Sequence, residues 1–130
     1  SDFVNVCEAM LDSTIESFPL DMSGDFTVGV VVASQGYPER YKKGIRVESL
    51  PKNIARQQIV FHASTSIDDT GSLVTGGGRC FTVVGIGPTI LSANKRAYEA
   101  VPDVVFKGAW FRHDIGKKFL VEDTQSDESR

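Results

Sequence analysis

The most distinctive chemical feature of this sequence is a run of three glycines followed by an arginine, from Gly76 to Arg79. Adjacent glycines are unfavourable inside a strand, because they lose much backbone entropy on folding and contribute no side chain to packing. One interpretation is a loop whose backbone N–H groups lie beside the guanidinium and bind a phosphate or carboxylate. The other is a β-bulge that lets one strand cross onto a second sheet. Local spacing alone favours the bulge.

Two further loops contain residues suited to binding. Gly36-Tyr37-Pro38 follows an apolar run, and the residue before a proline is restricted to extended conformations. This predicts a rigid turn, which is either a binding loop or a simple turn with a packed tyrosine. Arg112 and Asp114 lie in a second polar loop. They are expected to form an ion pair, unless Arg112 contacts an anionic ligand instead.

The positions of His62 and of the two cysteines in the sequence indicate structural roles. His62 lies in an apolar strand pattern, where a histidine is more often a hydrogen-bonded structural residue than a catalyst. The hydroxyls of residues 64–66 can cap a turn or bind a ligand. Cys7 and Cys80 lie in apolar patterns and are predicted to be buried thiols, which suits a reducing cytoplasm. The chain has no CxxC pair, so a zinc site is not expected.

A basic segment follows the Gly36-Tyr37-Pro38 loop, and Glu39 and Glu48 are its only acidic residues. Such a segment can steer an anionic ligand, or it can be a solvated loop, as a charge run usually is. Its members are Arg40, Lys42, Lys43, Arg46, Lys52 and Arg56.

Composition places the chain among ordinary globular proteins. Its 130 residues fit one domain, with a hydrophobic fraction of 41% and a charged fraction of 24%. The net charge of −3 provides no general attraction to nucleic acid or to an anionic membrane. No apolar run reaches the length of a membrane span. We therefore expect neither a nucleic acid nor a membrane as a partner.

Hydrophobic periodicity predicts an α+β fold, with a mostly antiparallel sheet and two packed helices. The predicted helices cover residues 3–17, lying on a sheet, and 89–101. The predicted central strand covers residues 26–33, and a hairpin, a third strand and two short strands account for most of the rest. The domain is expected to occupy residues 1–120, followed by a disordered acidic tail at 121–130.

A set of segments is informative when read together. The segments are SQGYP at 34–38, VFHAST at 60–65, VTGGGRCFTVVGIG at 74–87, KRAYEAV at 95–101 and FRHDIG at 111–116. In their sequence, order and spacing, over about residues 1–120, they resemble the C-terminal domain of phosphoribosylamine–glycine ligases, also called glycinamide ribonucleotide synthetases.

The resemblance implies a hybrid-motif, barrel-like domain that packs on the ATP-grasp core of the same polypeptide. The whole enzyme of this family is a cytoplasmic ligase that joins glycine to 5-phosphoribosylamine with ATP, giving glycinamide ribonucleotide, ADP and phosphate in de novo purine biosynthesis. ATP and Mg²⁺ are held by segments upstream of this domain in the family. The resemblance thus implies that this chain alone has no catalytic residue, binds no metal and is inactive.

The family's motifs can be carried over to this sequence as candidate substrate-binding residues. Gly36, Tyr37 and Pro38 match the family's GYP loop, and His62 and Thr65 match its HAGT segment, with Ser64 in place of the usual glycine. Gly77, Gly78 and Arg79 match its NGGR segment, with Gly76 in place of asparagine. Arg112 and Asp114 match its R-x-D-I-G segment. The alternative function is a stand-alone binding or regulatory module related to the C-terminal domains of biotin carboxylases.

Overall fold

The computed structural model describes residues 1–51 and 57–120 and confirms the α+β fold. A four-stranded antiparallel sheet has the strand order β3-β6-β1-β8, and two-stranded sheets pair β2 with β7 and β4 with β5. The elements are α1 Phe3–Leu11, β1 Phe26–Ser34, β2 Val47–Ser49, β3 Gln58–His62, β4 Thr65–Ile67, β5 Leu73–Thr75, β6 Arg79–Gly87, α2 Ile90–Ala100, β7 Val105–Phe106 and β8 Ala109–Trp110. Short 3₁₀ turns cover Ile15–Ser17 and Val101–Asp103.

β1 and β6 form the centre of the sheet, as the apolar run at 26–33 predicts. Val30 of β1 lies opposite Val83 of β6, and both are fully buried with Val32 and Phe81. These side chains point to one face, where helix α2 covers them. Branched and aromatic side chains pack well on a pleated surface, which explains why these two strands form the core.

Helix α2 closely matches the helix predicted at 89–101. Thr89 caps its N-terminus through a reciprocal pair of hydrogen bonds with Ser92. Ala93 and Ala97 face the sheet and are fully buried. Gly85 of β6 lies beneath them, and a Cβ atom there would collide with the carbonyl oxygen of Ala93. Small residues on both sides therefore bring the helix into close contact with the strand.

The first helix differs from the prediction in length and in packing. Helix α1 ends at Leu11 rather than near residue 17, and the side chains of Phe3 and Leu11 remain 77% and 85% exposed. The helix ends in a Schellman-type motif, in which the Ser13 N–H bonds to the Met10 carbonyl and the Thr14 N–H bonds to the Ala9 carbonyl. Ser13 adopts φ 58°, a conformation usually taken by glycine, so no glycine in the sequence marks the end of this helix.

The second face of the main sheet is partly open. Val31 of β1 and Ile59 of β3 are each 38% exposed on this face, and Phe61 is 52% exposed.

Both cysteines have free thiols, with Cys80 buried as predicted and Cys7 only half-buried. No helix within residues 1–51 and 57–120 is long and apolar enough to cross a membrane. The predicted tail at 121–130 lies outside the described residues, and so do Lys52 and Arg56.

We predict that Gly85→Ala destabilises the domain by about 2–3 kcal/mol, because the added methyl group displaces α2 from the sheet. The measurement is the free energy of unfolding from denaturant titration. Gly24→Ala is the matched control, since a Cβ atom there meets nothing within 4 Å. Equal stability of the two variants would contradict the close packing of α2 on β6.

Candidate functional site

A β-bulge sets the position of Arg79. Val32 lies opposite Phe81, whereas the next residue, Ala33, lies opposite Arg79, so that Cys80 is the extra residue of β6. Cys80 and Phe81 are both buried, and Arg79 is exposed. The extra residue reverses the alternation of side chains. Arg79 therefore lies on the open face of the sheet instead of in the core beneath α2.

The glycines before Arg79 permit close approach of neighbouring residues. A Cβ atom on Gly78 would collide with the ring of Tyr37, and one on Gly77 would lie 2.6 Å from the Ser64 hydroxyl oxygen. Ser34 holds this segment, because its N–H donates to the Gly78 carbonyl (2.8 Å) and its hydroxyl to the Gly77 carbonyl (3.2 Å). Within the described part of the chain, the N–H groups of Gly77 and Gly78 have no acceptor, although both residues are buried.

A groove of about 250 Å³ lies on the open face of the sheet, and we call it the sheet groove. Its floor is formed by β1, and its walls carry two aromatic rings and two guanidinium groups. The guanidinium carbon of Arg79 lies 5.9 Å from the centroid of the Tyr37 ring. The Trp110 indole N–H donates to the Ser34 carbonyl (3.0 Å), which fixes the second ring. The lining residues are Gly29, Val31, Ala33, Tyr37, Arg79, Trp110, Arg112 and Ile115.

Arg112 and Asp114 form the predicted ion pair at the rim of the sheet groove. The contact is bidentate, with Nε to Oδ1 at 2.9 Å and Nη2 to Oδ2 at 2.6 Å. The hydrogen bonds from Arg112 lower the pKa of the Asp114 carboxyl, and those to Asp114 raise the pKa of Arg112. Both side chains are exposed, so water screens this pair. Arg112 also lines the sheet groove.

Helix α2 holds the loop that carries Arg112. The Tyr98 hydroxyl donates to the Arg112 carbonyl (2.7 Å) and accepts from the Ile115 N–H (3.0 Å). Asn94 of the same helix donates from Nδ2 to the Ile115 carbonyl (2.7 Å). These bonds fix the loop backbone on both sides of Asp114. The sequence alone gave Tyr98 and Asn94 no such role.

His62 and Thr65 contact each other and do not line the sheet groove. The His62 Nδ1 atom lies 3.0 Å from the Thr65 hydroxyl oxygen, and the imidazole meets the edge of the Phe81 ring at 5.1 Å between centroids. The intervening Ser64 joins this segment to the glycine run, because its carbonyl accepts from the Gly76 N–H at 2.8 Å. The segment that carries His62 and Thr65 is therefore joined to the glycine run but lies outside the sheet groove.

The candidate residues divide into groups by location. Tyr37, Arg79 and Arg112 line the sheet groove, Gly78 lies against the Tyr37 ring, and Gly77 lies against Ser64. Pro38 follows Tyr37 through a cis peptide bond, Asp114 pairs with Arg112, and Gly36 lines a separate cavity. Trp110, which forms a wall of the groove, was not among the candidates predicted from the sequence. The only signal was its position two residues before Arg112, which places both on one side of an extended segment.

The described residues do not offer a metal site. Within residues 1–51 and 57–120, no group of three or more His, Cys, Asp or Glu side chains is placed to hold a metal ion.

Comparison with known proteins gives a consistent result. Residues 27–118 match the family model described as "Phosphoribosylglycinamide synthetase, C domain". Phosphoribosylamine–glycine ligase of Neisseria meningitidis serogroup B is 39% identical over 92% of this chain and 28% of its own length. The chloroplastic phosphoribosylamine–glycine ligase of Arabidopsis thaliana is 38% identical over 92% of this chain and 23% of its own length.

A solved structure also matches. The crystal structure of phosphoribosylamine–glycine ligase from Thermotoga maritima is 33% identical, with a TM-score of 0.69 over 87% of this chain and 27% of that one. The chain thus spans less than a third of the length of the relatives it matches.

We predict that Tyr98→Phe loosens the loop that carries Arg112. Loss of the hydroxyl leaves the Ile115 N–H and the Arg112 carbonyl without their partner, at a cost of about 1 kcal/mol. Amide hydrogen exchange at Ile115 should accelerate roughly fivefold. Tyr41→Phe is the control, because the Tyr41 hydroxyl has no hydrogen-bond partner among the described residues. Unchanged exchange at Ile115 would show that Tyr98 does not hold the loop.

We also predict that Arg112→Leu raises the pKa of Asp114 towards its ordinary value of about 3.9. In the native protein this pKa is lowered, so the ion pair stabilises the fold above the unfolded-state pKa, and this contribution is lost as the pH falls through the lowered folded-state value. An NMR titration of the carboxyl carbons measures the change. Asp68 is an internal control, because Thr70 and Ser72 lower its pKa and Arg112 does not contribute. A pKa of Asp114 that stays low would exclude Arg112 as the cause.

Proposed function

This chain belongs to the family of phosphoribosylglycinamide synthetase C domains, and we propose that its parent protein joins glycine to 5-phosphoribosylamine with ATP. The products are glycinamide ribonucleotide, ADP and phosphate, in de novo purine biosynthesis in the cytoplasm. The proteins named above are all phosphoribosylamine–glycine ligases, which favours this function over a stand-alone regulatory module. In this proposal the chain contributes one wall of the substrate cleft.

The single observation that carries the role of this chain is the composition of the sheet groove. It combines an apolar floor, two aromatic walls and two guanidinium groups on a face of the sheet that the described residues leave open. Such a combination suits a small anionic metabolite with an apolar or ring-shaped part, because cations fix the anion while the rings exclude water. Phosphoribosylamine and the phosphorylated form of glycine both carry a phosphate.

Arg79 is the residue we assign to this phosphate. Its side chain is exposed on the groove side of the bulge, and no carboxylate among the described residues pairs with it. Gly77 and Gly78 precede it with N–H groups that have no acceptor in the described part of the chain. Backbone N–H groups beside a cation form a recurrent anion-binding arrangement. Arg79 and these N–H groups would hold the phosphate and position the reacting atoms by electrostatic attraction.

The nucleotide and its metal are assigned to the rest of the parent protein. Among the described residues, no group of three or more His, Cys, Asp or Glu side chains is placed to hold a metal ion, and the chain spans less than a third of the length of its relatives. ATP and Mg²⁺ would therefore be held by the ATP-grasp core of the same polypeptide. In this proposal the chain contributes binding and orientation of the substrate.

Helix α1 is the element we assign to contact with that core. Phe3, Val4, Met10 and Leu11 are all more than 60% exposed, and they precede the residues that match the family model. Four large apolar side chains on one short helix are unfavourable in water, since each exposes surface that burial would remove. Packing against the preceding part of the same polypeptide would cover them.

We predict that Arg79→Ala in the full-length protein raises the KM for phosphoribosylamine by roughly 10- to 100-fold, as expected when a charge-assisted hydrogen bond to a phosphate is lost. Steady-state kinetics provide the measurement, and Arg79→Lys should restore part of the affinity. Arg46→Ala is the matched control, because Arg46 is exposed and does not line the sheet groove. Unchanged kinetics with a lower unfolding temperature would instead assign Arg79 a purely structural role.

A further inference from the structure

A second cavity, of about 370 Å³, lies between the loop that follows β1 and the turn between β7 and β8. We call it the basic cavity. It shares no lining residue with the sheet groove, and the function proposed above makes no use of it. The lining residues are Gln35, Gly36, Arg40, Lys42, Ile45 and Lys107.

Close contacts between backbone atoms hold the walls of the basic cavity in place. Gly36 adopts φ 92°, and a Cβ atom there would collide with the Arg40 carbonyl oxygen, so that the loop folds tightly onto itself. The Gln35 N–H donates to the Gly108 carbonyl (2.8 Å), which joins this loop to the turn that carries Lys107. The cavity is therefore formed by loops whose backbones are fixed to one another.

The far end of the same loop is fixed as well. The Ile45 N–H donates to the hydroxyl of Thr75 (3.1 Å), and the Thr75 N–H donates to the Ile45 carbonyl (2.8 Å). Thr75 is almost fully buried, at 1% exposure. The segment that carries Arg40 and Lys42 is thus anchored at both ends, which limits the entropy lost when its side chains bind a ligand.

The charge of the basic cavity is not neutralised by the described residues. Arg40 and Lys42 come from the basic segment identified in the sequence, and Lys107 joins them from a distant part of the chain. No carboxylate lines the cavity, and the ion pairs within residues 1–51 and 57–120 involve other residues. A bound anion would be attracted by the three cationic side chains that line the cavity.

We propose that the basic cavity binds the diphosphate or triphosphate group of a small molecule. A guanidinium and two ammonium groups from two loops can contact several phosphate oxygens at once, and Arg40 can do so in a bidentate way. Three cations match the charge of a diphosphate better than that of a carboxylate. The site is separate from the sheet groove and does not depend on the function proposed for it.

The test is lysine acetylation of the full-length protein, followed by mass spectrometry, with inorganic pyrophosphate as the probe. Bound pyrophosphate should slow acetylation of Lys42 and Lys107 by roughly threefold or more, which corresponds to a site about two-thirds occupied. Lys43 is the matched control, because it is adjacent to Lys42 and exposed but does not line the cavity. Sodium chloride at equal ionic strength should leave all three rates unchanged relative to one another.

Variants make the test specific to the cavity. Arg40→Ala should abolish the protection of Lys42 and Lys107, whereas Arg46→Ala should preserve it. If Arg40→Ala lowers the unfolding temperature, Lys107→Met serves instead, with Lys42 as the readout. Arg79→Ala should leave the protection intact, which separates this proposal from the function of the sheet groove. Equal protection of Lys43, the same effect with sodium chloride, or full protection in Arg40→Ala would overturn the proposal.

Discussion

Between Val32 and Ala33 the register of β1 against β6 shifts by one residue, and the geometry of the sheet groove follows from this shift. Without it, Arg79 would have the same orientation as Phe81 and would enter a core that contains no partner for a guanidinium. A buried unpaired charge is far more costly than a local break in a ladder of hydrogen bonds. The bulge therefore lets one strand supply both the core under α2 and a cation on the opposite face.

The two interpretations of the glycine run are compatible in the folded chain. Gly77 and Gly78 lie next to the bulge, where their lack of side chains admits Ser64 and the Tyr37 ring. The same close approach leaves their N–H groups beside Arg79 without an acceptor among the described residues. One local conformation thus accounts for the structural requirement for glycine and for the free N–H groups on which the proposed binding role rests.

Local patterns in the sequence predicted the elements whose stability is mainly local or periodic. The run at 26–33 and the capped, alanine-faced α2 both have strong periodicity, and the structure confirms them. The end of α1 was not predicted because Ser13 adopts a positive-φ conformation that is usually marked in a sequence by a glycine. The role of Trp110 and the assembly of the groove escaped prediction for a different reason. Tyr37 and Trp110 lie far apart in sequence, and only the pairing of β1 with both β6 and β8 brings them to one groove.

Trp110 is the single tryptophan of this chain, and its indole forms a wall of the groove while its N–H is held by the Ser34 carbonyl. Indole emission responds to the polarity and charge immediately around the ring. A molecule entering the groove replaces water at that ring and brings its own charge close to it. In this chain, intrinsic fluorescence therefore acts as a built-in optical reporter of groove occupancy, without any attached dye.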